Sequence, residues 1–137
     1  MDISKLRIGE NSYSITQIMH IIEDHSDEIT ELSLMQCFWI ENIFAGIPVP
    51  TIAWDENEEP GSFKVFKGNE FIYGLMAFIN NGLELTYTLF FPEFQGMKFK
   101  ELPPHIVRKI YNKNYNVFYI HPGVPKEIAE MIIFRYS

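Results

Sequence analysis

The segment Val65-Phe66-Lys67-Gly68-Asn69-Glu70-Phe71-Ile72 carries residue types suited to chemistry. Its pattern predicts a strand, a glycine turn and a helix N-terminus. Such a turn aims free backbone amides outward, which suits an anion or a nucleotide phosphate. Lys67, Gly68, Asn69 and Glu70 are therefore the candidate pocket residues. A glycine at a strand-to-helix turn also has a purely structural use, so the pattern alone is unspecific. His20 and Glu23 lie three apart on a predicted helix, but two ligands do not make a metal site. His105 and His121 read as loop-end residues beside prolines. Asp55, Glu56, Glu58 and Glu59 form an acidic run at a hairpin tip, where charge is usually just solvated. Cys37 sits in the most apolar helix and reads as an inert core thiol. The chain has no lysine-containing phosphate loop, no dinucleotide fingerprint and no paired-histidine zinc motif. No catalytic residue, metal or cofactor is expected.

The elements that must position these residues follow from caps and periodicity. Ser14 with Gln17 forms a capping box, and Ile15, Ile18, Met19 and Ile22 give a helical stripe expected to stop near His25. A short strand is expected from Glu28 to Leu32. Ser33 with Gln36 repeats the box before a helix from Leu34 to Ala45, apolar on most faces and closed by Gly46. Pro48 and Pro50 force an extended path and cannot donate ladder bonds, so their segment must lie at a sheet edge or before the strand begins. Thr51 to Asp55 is predicted to pair with residues 62–66 around a polar turn. A third helix runs from about Asn69 to Asn80, closed by Gly82. Leu83 to Phe91 reads as strand. Pro103 and Pro104 open a fourth helix that buries Ile106, Val107 and Ile110. Asn116 to Ile120 is a strand, and Pro125 opens a last helix through Tyr136. The expectation is one α+β domain over 1–137, a small mixed sheet with about five helices.

Composition narrows the function classes. The 137 residues are 47% hydrophobic and 21% charged, ordinary for a folded domain. Eleven basic residues face 18 acidic ones, for a net charge of −7. Residues 1–60 hold Lys5 and Arg7 against 12 acids, whereas the rest is net basic. An acidic chain argues against nucleic-acid binding, which relies on neutralising phosphates. The charge-free stretches are far short of the ~20 apolar residues of a membrane span. One unpaired cysteine and no visible leader point to a reducing compartment, so a cytoplasmic location is expected.

Several segments together resemble the domain-of-unknown-function 262 family, a branch of the ParB/sulfiredoxin-like superfamily. That family shows Leu-Ile-Glu-Ser-Ile-Leu and then Gly-Ile-Pro-Ile-Pro; here Trp39 to Phe44 and Gly46 to Pro50 look similar. Its Asp-Gly-Gln-Gln-Arg-Leu turn corresponds to Lys67-Gly68-Asn69-Glu70-Phe71-Ile72. Phe78 to Gly82, Gly96 to Pro103 and Glu127 to Arg135 resemble later family segments, so the likeness covers about 12–137. It implies a ParB/sulfiredoxin-like fold. It also implies nucleotide hydrolysis by restriction-linked relatives, an activity attributed to the Asp-Gly-Gln-Gln-Arg motif. Only Gly68 of that motif survives here. Losing the arginine removes bidentate phosphate recognition, and Glu70 adds like-charge repulsion.

The leading expectation is thus a catalytically inactive binding or accessory module linked to phage defence. One alternative is a nucleotide-binding or nucleotide-hydrolysing enzyme with Lys67 on phosphate and Glu70 as base. A second is a DNA-binding ParB-like protein. The last helix carries Ile128, Met131 and Ile132 on one stripe, Ala129, Ile133 and Tyr136 on another, and Phe134 outside both. That surplus predicts a protein partner or self-association through residues 125–136.

Overall fold

Two serines start the first two helices. Ser14 Oγ accepts the Gln17 amide at 3.2 Å, while Gln17 Oε1 accepts the Ser14 amide at 2.9 Å. This box opens α1 (Ile15–Ile21). Ser33 and Gln36 repeat it at 3.1 and 2.9 Å and open α2 (Leu34–Ala45). Gly46 ends α2 in the left-handed region, φ 70°. Reciprocal caps of this kind satisfy amides that have no partner inside the helix. The computed structural model describes residues 8–56, 63–121 and 123–135, without the side chains of Glu56, Lys126 and Arg135. These residues form two compact units, and the chain passes between them at 23/24, 50/51, 69/70 and 113/114.

The first unit is built on a four-stranded mixed sheet in the order β1-β4-β2-β3. The strands are β1 (Ile8–Tyr13), β2 (Ile52–Glu56), β3 (Phe63–Lys67) and β4 (Tyr115–Ile120). β4 runs antiparallel to β1 and parallel to β2, and β2 is antiparallel to β3. Side chains alternate between the two sheet faces. Ala53, Phe118 and Ile120 share one face with Ala129 and Ile133 of α5 (Lys126–Arg135). On the other, Trp54 lies 5.3 Å from the Tyr13 ring and 6.1 Å from Phe63. Tyr115 is buried there, and burial pushes its hydroxyl pKa well above the ordinary 10.0.

The second unit contains α2, α3 (Asn69–Asn81) from Glu70 onward, and α4 (Pro104–Asn112). Gln36 is 6% exposed and donates from Nε2 to the Glu70 carbonyl at 2.9 Å. Gly74 makes room for it, since a Cβ there would meet the Gln36 side chain at 2.8 Å. Lys109 Nζ reaches the Phe44 carbonyl at 3.0 Å, tying α4 to the end of α2. Phe78, Phe99 and Tyr111 stack edge to face, with centroids 5.9 and 6.1 Å apart.

The α+β class, the small mixed sheet and the five α-helices among the described residues agree with the sequence reading. Pro48 and Pro50 precede β2, and β2 pairs with β3 as expected. Several expectations are corrected. α1 ends at Ile21 rather than near His25, because Ile22 turns extended and bridges to Phe63. No strand covers Glu28–Leu32. Asp24 instead accepts the Ser26 amide and hydroxyl, and a short 3-10 turn satisfies Ser26–Glu28 locally. Leu83–Phe91 is not a strand either; only a single bridge, Glu84 to Lys98, forms there. Val107 is only partly buried. β1 was not foreseen, because IGENSY is an edge strand with an exposed polar middle and no apolar alternation. The hairpin turn at 57–62 and Tyr136 lie outside the described residues.

Gly68 joins β3 to α3 with φ 71°, and a Cβ there would sit 2.5 Å from the Thr51 carbonyl. Gly68→Ala is expected to cost about 2 kcal/mol or more in urea denaturation. Gly9→Ala, where a Cβ meets nothing within 4 Å, is the control and should change stability by well under that.

Candidate functional site

The four residues singled out at the strand-to-helix turn are consecutive, and the division between the two units falls inside them, between Asn69 and Glu70. Lys67 ends β3, partly buried, opposite Ala53 in the ladder. Gly68 makes the left-handed turn against Thr51. Asn69 and Glu70 are exposed in the first turn of α3. A glutamate there supplies the negative charge that a helix N-terminus would otherwise draw from a bound anion. The next residue is Phe71. It is 1% exposed and packs edge-on to Trp39 at 6.2 Å.

Of the four, Lys67 lines a cleft in the first unit. It shares a space of ≈ 260 Å³ with Phe66, Glu130 and Phe134. An adjoining cleft of ≈ 450 Å³ is lined by Glu127, Glu130, Met131 and Phe134 of α5. Ala129 and Ile133 turn into the core, whereas Met131 is 66% and Phe134 77% exposed. The surplus apolar surface expected on this helix is therefore present.

The other sequence candidates stay apart. Among the described residues, no group of three or more His, Cys, Asp or Glu is placed to hold a metal ion. His20 and Glu23 thus gain no third ligand. His25 Nδ1 lies 3.8 Å from Glu28, and its ring meets Tyr73 edge-on. His121 packs edge-on to Tyr119 at 4.6 Å, and His105 is exposed. Asp55 belongs to β2, while Glu58 and Glu59 lie outside the described residues. Cys37 is fully buried, and desolvation raises its pKa against the lowering effect of the Tyr87 and Thr86 backbone.

The residue with the most specific geometry is one that pattern reading passed over. Glu41, in the middle of α2, is 0% exposed. Its Oε1 accepts the Leu89 amide at 2.7 Å; its Oε2 accepts those of Phe90 and Phe91 at 2.8 and 2.7 Å. Three successive amides on one carboxylate form a fully occupied anion nest. The only sequence signal is an acid in the centre of an otherwise apolar helix, and such an acid must find partners when buried. Glu41 holds the 89–91 loop.

Neither a family model, nor a curated protein, nor a solved structure matches the chain. Among the described residues, no helix is long and apolar enough to cross a membrane.

Glu41→Gln keeps the shape but turns an NH2 group toward amide donors. It is expected to cost about 3 kcal/mol in chemical denaturation, and Glu41→Ala at least as much. Alkali should also destabilise the fold. Both Cys37 and Tyr115 have raised pKa values when folded, from ordinary values of 9.0 and 10.0. Their contribution is complete below those values and is lost as pH rises, because the unfolded chain ionises first. Melting temperature should therefore fall above about pH 9, and Tyr115→Phe should flatten that fall above pH 10.

Proposed function

We propose that this chain is a non-catalytic binding module related to the domain-of-unknown-function 262 proteins, with a ParB/sulfiredoxin-like fold, acting as an accessory protein in phage defence. Its working surface is the α5 face that adjoins the end of β3. The observation that carries this reading is the exposed pair Met131 and Phe134 lining the ≈ 450 Å³ cleft. Large apolar side chains left in water on one helix face mark an interaction site. Glu127 and Glu130 border this cleft, and Lys67 lines the smaller neighbouring one together with Glu130 and Phe134. An apolar patch flanked by both signs of charge suits a protein partner or a second copy of the chain.

The turn at Lys67–Glu70 supports the non-catalytic part of the reading. Phe71 is packed into the core at the arginine position, and Glu70 brings a negative charge where phosphate would lie. A net charge of −7 weighs against the DNA-binding alternative.

Light scattering at micromolar concentration should show a wild-type dimer, with Phe134→Glu monomeric and equally stable. A strictly monomeric wild type contradicts self-association. Phosphate release from nucleoside triphosphates with Mg²⁺ should stay at background. Turnover abolished by Lys67→Ala or Glu70→Ala would instead establish the nucleotide-hydrolysing alternative.

A further inference from the structure

The second unit holds a cleft of its own, ≈ 320 Å³, between the end of α3 and the 98–100 segment. Its size falls within the range of small-molecule sites, about 300–1,000 Å³. One wall is Asn80, Asn81 and Gly82, where α3 ends. Gly82 turns the chain in the left-handed region, φ 66°, and a Cβ there would meet nothing within 4 Å, which leaves space beside it. Asn81 is held, because its Nδ2 donates to the Ser26 carbonyl at 3.1 Å. The other wall is Lys98, Phe99 and Lys100. Its backbone is tied by Leu85 N–H to the Met97 carbonyl at 2.8 Å and by Glu101 N–H to the Lys98 carbonyl at 2.9 Å. Glu101 Oε1 accepts the Lys98 amide, also at 2.9 Å. The Phe99 ring meets Phe78 and Tyr111 edge to face at 5.9 and 6.1 Å, which fixes its orientation. With Ile79 it gives the cleft an apolar side. Walls fixed in this way lose little freedom on binding, so the cleft is pre-organised.

Two lysines and no carboxylate line this cleft. The end of α3 accounts for only part of their charge. A helix C-terminus carries the equivalent of about −0.5 charge, so one ammonium already exceeds it and the second is surplus. Two acids come near in the chain or the ladder: Glu84 stands opposite Lys98 in a single bridge, and Glu101 follows Lys100. Neither borders the cleft, and among the described residues neither lysine lies within ion-pair distance of a carboxylate. The surrounding sequence adds to the surplus, since residues 98–113 hold five basic residues against Glu101 alone. We infer that this cleft binds a small anion carrying a flat apolar group, an aromatic phosphate or carboxylate. Its ring would lie against Phe99 and Ile79, and its acid group would take charge-assisted hydrogen bonds from Lys98 and Lys100. This inference stands independently of the α5 surface.

The test titrates the full chain, isotope-labelled and followed by its amide chemical shifts, with phenyl phosphate, benzoate, inorganic phosphate and benzylamine in turn. Phenyl phosphate and benzoate separate the two acid groups. The better of them should shift the Gly82, Lys98, Phe99 and Lys100 amides saturably at millimolar concentration. It should bind at least about tenfold more tightly than inorganic phosphate, which lacks the ring. Benzylamine, with the ring but the opposite charge, should leave these amides unmoved. Lys98→Gln with Lys100→Gln should weaken binding at least about tenfold. Far-ultraviolet circular dichroism and the melting temperature check that the double variant stays folded; Lys100→Glu, at an exposed residue, is the second variant and should weaken binding in the same direction. The inference is overturned if neither aromatic anion shifts these amides saturably, if benzylamine binds equally well, or if both lysine variants bind like wild type. Equal affinity for inorganic phosphate also overturns it, because the site would then be a bare pair of cations.

Discussion

The Glu41 carboxylate is the constraint on which the second unit depends. A carboxylate with 0% exposure must satisfy both oxygens or lose more free energy than the helix around it contributes. α2 cannot supply donors in its middle, because its own amides are engaged along the helix. The partners therefore come from outside, as three consecutive amides at 2.7–2.8 Å from Leu89, Phe90 and Phe91. That requirement fixes the path of the loop, and it explains why the loop is not a strand. Amides spent on a carboxylate cannot enter a ladder. With the backbone turned toward α2, the side chains of Leu89 and Phe90 stand in water.

Much of the architecture was legible in the sequence wherever a local rule decided it. The two Ser-x-x-Gln boxes, Gly46, Gly68 and Gly82 mark helix ends through hydrogen bonds and backbone conformation that need only near neighbours. The β2–β3 pairing was legible as two apolar strands around a polar turn, with two prolines that could only lie at an edge or before the strand. What was missed is what distant partners decide. β1 is polar and exposed in its middle and is a strand only because β4 offers it a free edge. The missed turn before residues 28–32 is by contrast local: Asp24 accepts the Ser26 amide, and a 3-10 turn takes Ser26–Glu28.

The candidate site was legible in part. Lys67 does line a cleft, and the last helix does leave Met131 and Phe134 exposed. Glu41 went unread because a single acid in an apolar helix carries no spacing to interpret. Its role appears only once the loop 48 to 50 residues further on is in place.

These features make one physical picture. The buried carboxylate and the turn glycine serve the scaffold, and what the scaffold presents is apolar surface suited to association. Hydrogen exchange of the Leu89, Phe90 and Phe91 amides, followed residue by residue by nuclear magnetic resonance, tests this most directly. The account predicts protection approaching that of the α2 core amides, lost selectively in Glu41→Gln. Exchange of these three amides at free-peptide rates in the wild type would contradict it, leaving Glu41 without its structural role and the loop without its fixed apolar face.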